Sequence, residues 1–188
     1  MEKKVMTAQD LLQDSYRLGI KILESGFEPT MVIAIWRGGT PVGVAVQEIL
    51  SYCGVESDHI SIRTSSYAGI DERSEVAVHG LNYIIKKICH DDRLLIVDDV
   101  FDTGNTFAAV LGELKRRARG NTPDDIRMAV PWYKPTRNET NLVPDYFLYE
   151  TTEWLVFPHE LDALTSEEMK LQRPDVYAVV YPETSSVA

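Results

Sequence analysis

Two adjacent carboxylates, Asp98 and Asp99, follow the apolar run Leu94-Leu95-Ile96-Val97, and a polar bend, Asp102-Thr103-Gly104-Asn105-Thr106, comes soon after. The apolar run predicts a buried strand, and the bend predicts a turn that opens a helix. Hydroxyls and amide N–H groups gathered at a helix start cradle an anion, helped by the helix dipole. The two acids cannot bind a phosphate themselves. They can grip hydroxyls or counter a developing positive charge. A sugar phosphate meets both demands, with its phosphate in the turn and its hydroxyls on the acids. If C1 of that sugar undergoes displacement, the transition state takes on oxocarbenium character and the nearby carboxylates stabilise it.

Other chemistries that place an acid at a strand end fail on spacing. A Walker-type acid needs a G-x-x-x-x-G-K-[ST] loop, a dinucleotide fingerprint needs G-x-G-x-x-G, and an aspartate-nucleophile phosphatase needs D-x-D-x-T; the chain has none of them. The four histidines, His59, His79, His90 and His159, lack metal-ligand spacing, and Cys53 and Cys89 form no C-x-x-C pair.

The elements that must position the acids can be read from periodicity. A helix is expected from Thr7, with Asp10 three positions on as a capping partner and Leu11, Leu12, Tyr16, Ile20 and Leu23 at helical spacing up to Gly26. Met31-Val32-Ile33-Ala34-Ile35-Trp36 predicts a buried strand that runs into Arg37-Gly38-Gly39. A helix follows with Val42, Val46, Ile49 and Leu50 on one side, then a strand over residues 58–63. Residues 64–75 predict a mobile loop, and residues 76–88 fit strand and helix equally. A helix from about 103 to 119 carries Phe107, Val110, Leu111 and Leu114, and a strand over about 126–132 leads to Lys134. Strands alternating with helices predict an α/β fold with a mostly parallel central sheet flanked by helices. Ligands in such sheets sit at the carboxyl ends of strands, which singles out Arg37-Gly38-Gly39, the Asp98 to Thr106 segment and Lys134.

Composition sets outer limits. The 188 residues are 44% hydrophobic and 26% charged, enough for one domain with a real core. The net charge of −10 argues against a protein that coats nucleic acid, which needs surplus cations to displace counterions, but leaves a small anionic ligand open. Lys115, Arg116, Arg117 and Arg119 fall in the last turns of a helix and are expected to be a solvated face. No apolar run reaches bilayer length, and Met-Glu-Lys-Lys-Val lacks the apolar stretch of a secretory signal, so a cytoplasmic location without a membrane partner is expected. Residues 183–188 are expected to be a frayed polar tail.

The segment from Leu94 to Thr106 resembles the PRPP-binding motif (5-phosphoribosyl-1-pyrophosphate) of the type I phosphoribosyltransferases. The resemblance implies that Asp98 and Asp99 bind the ribose hydroxyls and that Thr103, Gly104, Asn105 and Thr106 bind the 5′-phosphate. Further segments are similar to the 6-oxopurine members, which act on hypoxanthine, guanine or xanthine. Arg37-Gly38-Gly39 looks like their pyrophosphate loop, with Arg63 as a second pyrophosphate contact. Ser66-Tyr67 falls where the family carries a catalytic lid, although Ser65 stands where several members have a basic residue. Lys134 matches the lysine that donates to the purine 6-oxo group. Trp154-Leu155-Val156-Phe157-Pro158-His159-Glu160 is similar to the segment that stacks on and reads the purine, with Trp154 and Leu155 at the base and Glu160 as ligand of a magnesium ion held with pyrophosphate.

Asp102 has two readings: helix cap, or the family's group near purine N7 that handles its proton. Trp36 and Trp132 are expected in the core. The resemblance implies one domain over residues 1–188, with a small hood from about 1–30 and 140–172. It also implies Mg2+ as cofactor, PRPP and a purine base as substrates, and a homodimer or homotetramer. The implied activity is purine salvage by transfer of phosphoribose to a 6-oxopurine. The alternative is a non-catalytic nucleotide sensor of the same fold that binds RNA or DNA. Asp102, Lys134 and Glu160 favour catalysis, and no nucleic-acid partner is expected.

Overall fold

The structure, a computed structural model, describes residues 3–67 and 75–182. In chain order the elements are β1 (Lys3–Val5), α1 (Ala8–Glu24), β2 (Met31–Trp36), α2 (Gly39–Tyr52), β3 (Asp58–Tyr67), β4 (Glu75–His79), α3 (Asn82–Lys87), β5 (Arg93–Val97), β6 (Val100–Phe101), α4 (Asn105–Ala118), β7 (Asp125–Tyr133), β8 (Tyr146–Glu150), β9 (Trp154–Val156), α5 (Ser166–Gln172) and α6 (Pro174–Val180). Short 3-10 turns follow α4 and β7, over Arg119–Asn121 and Pro135–Arg137. The chain divides into two compact units, Leu12–Thr152 and Met1–Leu11 with Glu153–Ala188. No helix among the described residues is long and apolar enough to cross a membrane.

In the larger unit, seven strands among the described residues form one sheet in the order β4-β3-β2-β5-β7-β6, with β8 also on β7. Every pairing is parallel except β3 with β4. β2 and β5 lie in the middle and are buried almost throughout, which is why they read as continuous apolar runs and not as alternating ones. The main core joins Ile33, Ile35, Ile62, Leu94, Ile96 and Val130 from the strands to Leu81 and Ile84 at α3 and to Phe107, Val110 and Leu114 of α4. Burying each such large side chain contributes about 1.5–3 kcal/mol relative to exposure. That anchors α4 directly behind the turn that starts it.

In the smaller unit, β1 pairs with β9 in parallel, Lys3 opposite Trp154 and Val5 opposite Val156, and the Met6 amide donates to the Val156 carbonyl at 3.0 Å. Lys3 Nζ reaches the Glu168 carboxylate at 2.9 Å, while Glu168 and Thr165 form a reciprocal capping box at the start of α5. Glu168 is held below the ordinary carboxylate range, first by the Thr165 amide and then by Lys3.

Several expectations change. Residues 64–67 extend β3, and Glu75 opens β4; only residues 68–74 of the expected loop lie outside the described residues. Cross-strand pairing of Thr64 with Val78 and Ser65 with Ala77 holds this polar stretch in the sheet, so partner strands outweigh its weak apolar pattern. Residues 76–88 divide into strand β4 and helix α3. The start of α1 is as expected, since Thr7 Oγ accepts the Asp10 amide at 3.0 Å and donates to the Asp10 carboxylate at 2.6 Å. Its buried face, however, is Leu11, Leu18 and Ile22, with Leu12, Tyr16 and Ile20 turned outward. The sequence holds two apolar stripes one residue apart, and spacing alone cannot choose between them. Trp36 is 53% exposed at the end of β2, whereas Trp132 is 6% exposed and packs 4.5 Å from the Tyr149 ring, so only the second is a core tryptophan. The expected tail at 183–188 lies outside the described residues.

Candidate active site

β2, β5 and β7 are consecutive and parallel, so their carboxyl ends share one edge of the sheet. That edge brings together Arg37-Gly38-Gly39, Asp98-Asp99 and Lys134, which are far apart in the chain. Asp98 and Asp99 are both buried, at 9% and 8% exposure. The Asp98 amide donates to the Ala129 carbonyl of β7 at 3.2 Å, and Asp98 Oδ1 accepts the Asp99 amide at 3.0 Å. The Gly39 amide also donates to Asp98. Burial, and then the neighbouring Asp99 charge, push the Asp98 carboxyl well above the ordinary carboxylate range, against the pull of these amides.

The glycines after β2 make this packing possible. A Cβ on Gly38 would sit 1.9 Å from Asp99 Oδ2, and one on Gly39 would sit 2.5 Å from the Val97 carbonyl and 2.8 Å from Asp98 Cα. Any side chain there would overlap the acid pair or the backbone of β5. The peptide between Trp36 and Arg37 is cis.

After the acids, β6 pairs with the end of β7, and the chain turns through Asp102, Thr103 and Gly104 into α4. Gly104 has φ +82°, a left-handed conformation that favours glycine. It caps the helix without a side-chain hydrogen bond, so the first-turn amides and the dipole face the turn. Thr103 Oγ accepts the Asn105 amide at 3.4 Å. Asp102 is therefore not the helix cap that one reading expected: Gly104 takes that position, and the Asp102 carboxylate engages cations instead.

Those cations come from beyond β7. Lys134 is 5% exposed, and its Nζ lies 3.3 Å from Asp102 Oδ2. Arg137 Nε lies 2.7 Å from Asp102 Oδ1. The segment carrying them is fastened along the turn: the Lys134 amide donates to the Phe101 carbonyl at 2.9 Å, and the Glu139 amide to the Thr103 carbonyl at 2.9 Å. Asn105 Nδ2 donates to Glu139 Oε2 at 2.9 Å, and Thr140 Oγ occupies the space a Cβ on Gly104 would need. Arg137, Glu139 and Thr140 were missed by sequence reasoning. The one available signal was a charged, polar stretch directly after a strand whose end was already under suspicion.

Of the remaining expected residues, Arg63 is exposed on β3, paired across the sheet with Trp36 and His79. The backbone of Ser66 and Tyr67 is strand, and their side chains lie outside the described residues. Trp154, Leu155 and Glu160 fall in the smaller unit. Leu155 is buried, Trp154 is 42% exposed, and Glu160 folds back so that its Oε2 accepts the Phe157 amide at 3.2 Å. The arrangement at the sheet edge can accept hydrogen bonds from hydroxyls at Asp98 and Asp99. It can hold an anion at the start of α4, and it can offer an acid and a base side by side at Asp102 and Lys134.

The chain is similar to several known proteins. A family model described as phosphoribosyl transferase domain matches residues 3–164. A curated hypoxanthine/guanine phosphoribosyltransferase of Methanocella arvoryzae is 30% identical over 112 residues, 56% of this chain and 53% of that protein. The chain thus spans about half the length of the curated relative it matches. A solved purine phosphoribosyltransferase from Pyrococcus horikoshii is similar at 28% identity and a TM-score of 0.68, covering 85% of this chain and 95% of that one. A hypothetical protein from Neisseria gonorrhoeae, solved with bound ppGpp, shares the fold at 21% identity and a TM-score of 0.72, covering 93% and 97%.

Proposed function

The chain belongs to the phosphoribosyl transferase domain family, and from that premise we propose that it transfers the 5-phosphoribosyl group of PRPP to a 6-oxopurine and releases pyrophosphate. The observation that carries the reading is the buried acid pair at the end of β5, seated on Gly38-Gly39 and followed by the left-handed Gly104 turn into α4. The 28%-identical purine phosphoribosyltransferase, matched over 95% of its length, supports a purine as acceptor.

In this reading the 5′-phosphate docks at Thr103, Gly104, Asn105 and Thr106, and Asp98 and Asp99 take the ribose hydroxyls. A purine nitrogen attacks C1 as the bond from C1 to the pyrophosphate oxygen breaks, and the electron pair leaves with pyrophosphate. Positive charge develops on the ring between these events, and the acid pair lies where it stabilises that charge. Asp102 accepts the proton at N7 and Lys134 donates to the 6-oxo oxygen; their mutual contact supports this pairing of roles, because one ligand edge carrying an N–H beside a carbonyl complements it. Arg37, Gly38 and Arg63 face the pyrophosphate, and Ser66 and Tyr67 belong to a lid that excludes water. The resemblance further gives the purine ring to Trp154 and Leu155 and assigns a hood to residues of about 1–30 and 140–172. In support, β1–β9 pairing ties residues 3–5 and 154–156 into one unit, while residues 12–30 and 140–152 belong to the larger unit. The resemblance also implies a cytoplasmic homodimer or homotetramer.

Magnesium fits the donor set. Glu160 offers carboxylate oxygen, a hard ligand, and no group of three or more His, Cys, Asp or Glu among the described residues is arranged to hold a metal unaided. Mg2+ is ordinarily held by one or two carboxylates together with substrate phosphates, so Glu160 would hold such an ion together with pyrophosphate oxygens. When bound, it would neutralise charge on the departing pyrophosphate.

The test is pyrophosphate release with PRPP, Mg2+ and each of hypoxanthine, guanine, xanthine and adenine. Turnover is expected with at least one 6-oxopurine and not with adenine. Mononucleotide binding without turnover would move the chain to the non-catalytic reading.

A further inference from the structure

We infer that Arg137 is a positioning residue for Asp102, holding one carboxylate oxygen so that the other is aimed at the base. This rests on the reading of Asp102 as the group that takes the purine proton. Asp102 Oδ1 is shut off from solvent and has no aligned hydrogen bond, yet Arg137 Nε stands 2.7 Å from it. The approach is therefore an ion pair, and it compensates an oxygen that water does not reach. Oδ2 meets Lys134 at the longer distance of 3.3 Å.

The two cations have different duties. Lys134 is the group assigned to the 6-oxo oxygen, so a bound purine draws its Nζ away from Asp102. Arg137 has no such second duty and keeps the carboxylate oriented while Lys134 turns to the base. Its guanidinium is planar and permanently charged, which suits fixing a carboxylate plane better than a flexible ammonium does. The backbone beneath Arg137 is itself held. Its amide donates to the Lys134 carbonyl at 3.1 Å, Pro135 restricts the turn, and the Lys134 and Glu139 amides fasten both sides to residues 101 and 103. Arg137 is thus part of a rigid wall along the turn, although its side chain is 46% exposed.

An ordinary surface ion pair of this exposure would matter little to anything, so the test must separate positioning from mere contact. In steady-state assays R137Q is expected to lower kcat by about tenfold to a hundredfold, with the KM for PRPP within about twofold, since a small misplacement of a reacting group has that scale of effect. R137K restores part of the loss by restoring the charge. In the D102N background, R137Q causes no further loss, because its effect passes through the carboxylate. Unchanged kcat in R137Q, or an equal loss with and without Asp102, overturns the inference alone. A wild-type protein without turnover on any 6-oxopurine overturns the functional reading, and this inference with it.

Discussion

Asp98 and Asp102 are the same residue type, four positions apart, and the protein treats them in opposite ways. Asp98 directly follows a central strand, is buried beside a second carboxylate, and is held by main-chain amides. Asp102 lies just past β6, a third of its side chain open to solvent, between Lys134 and Arg137. The first region crowds two carboxyl groups in a buried place, which disfavours charge on Asp98. The second neutralises its acid in advance and keeps it aimed. In the proposed reaction the first acid serves ribose binding and the second proton transfer, and the two stand four residues apart.

The sharpest break of this contrast is D102N. It preserves shape but removes the proposed base, so kcat should fall by about a hundredfold or more while PRPP affinity measured by calorimetry changes little. Equal activity would remove Asp102 from proton transfer and leave both acids with a binding role. G39A acts on the other region. Its Cβ meets the Val97 carbonyl and Asp98 Cα, backbone that cannot swing aside, so a loss of about 1–3 kcal/mol in urea denaturation is expected, with weakened PRPP binding. An undisturbed G39A would mean that the acid pair tolerates displacement.

D98N has the smallest expected effect and the opposite sign. Asp98 holds its proton more tightly folded than unfolded, so the folded state binds more protons from the ordinary carboxylate value, about pH 4, up to the raised folded value. Its contribution to stability is present below that window and is lost as pH rises through it. An amide does not titrate, so ligand-free D98N should be more stable than wild type near pH 7 by about 1 kcal/mol, and less active. If denaturation curves at acidic and neutral pH place D98N below wild type throughout, burial of the acid pair is not a strained feature.

Much of this arrangement was written in residue order. The apolar runs of β2 and β5 announced buried parallel strands because no alternation was needed where both faces are covered. Asp98 to Thr106 announced an acid pair and a glycine turn into a helix because strand end, glycine and helix start are contiguous and follow from local conformational preference. Contacts that depend on which strands become neighbours were not written there. The choice between two stripes on α1, the exposure of Trp36, the extension of β3 to Tyr67 and the pairing of Asp102 with Arg137 each follow from packing across the sheet. Local chemistry is carried by neighbours along the chain. The surroundings of each acid were decided only when β7 came to lie beside β5 and β6, since a carboxylate's environment is made by whatever tertiary structure sets against it.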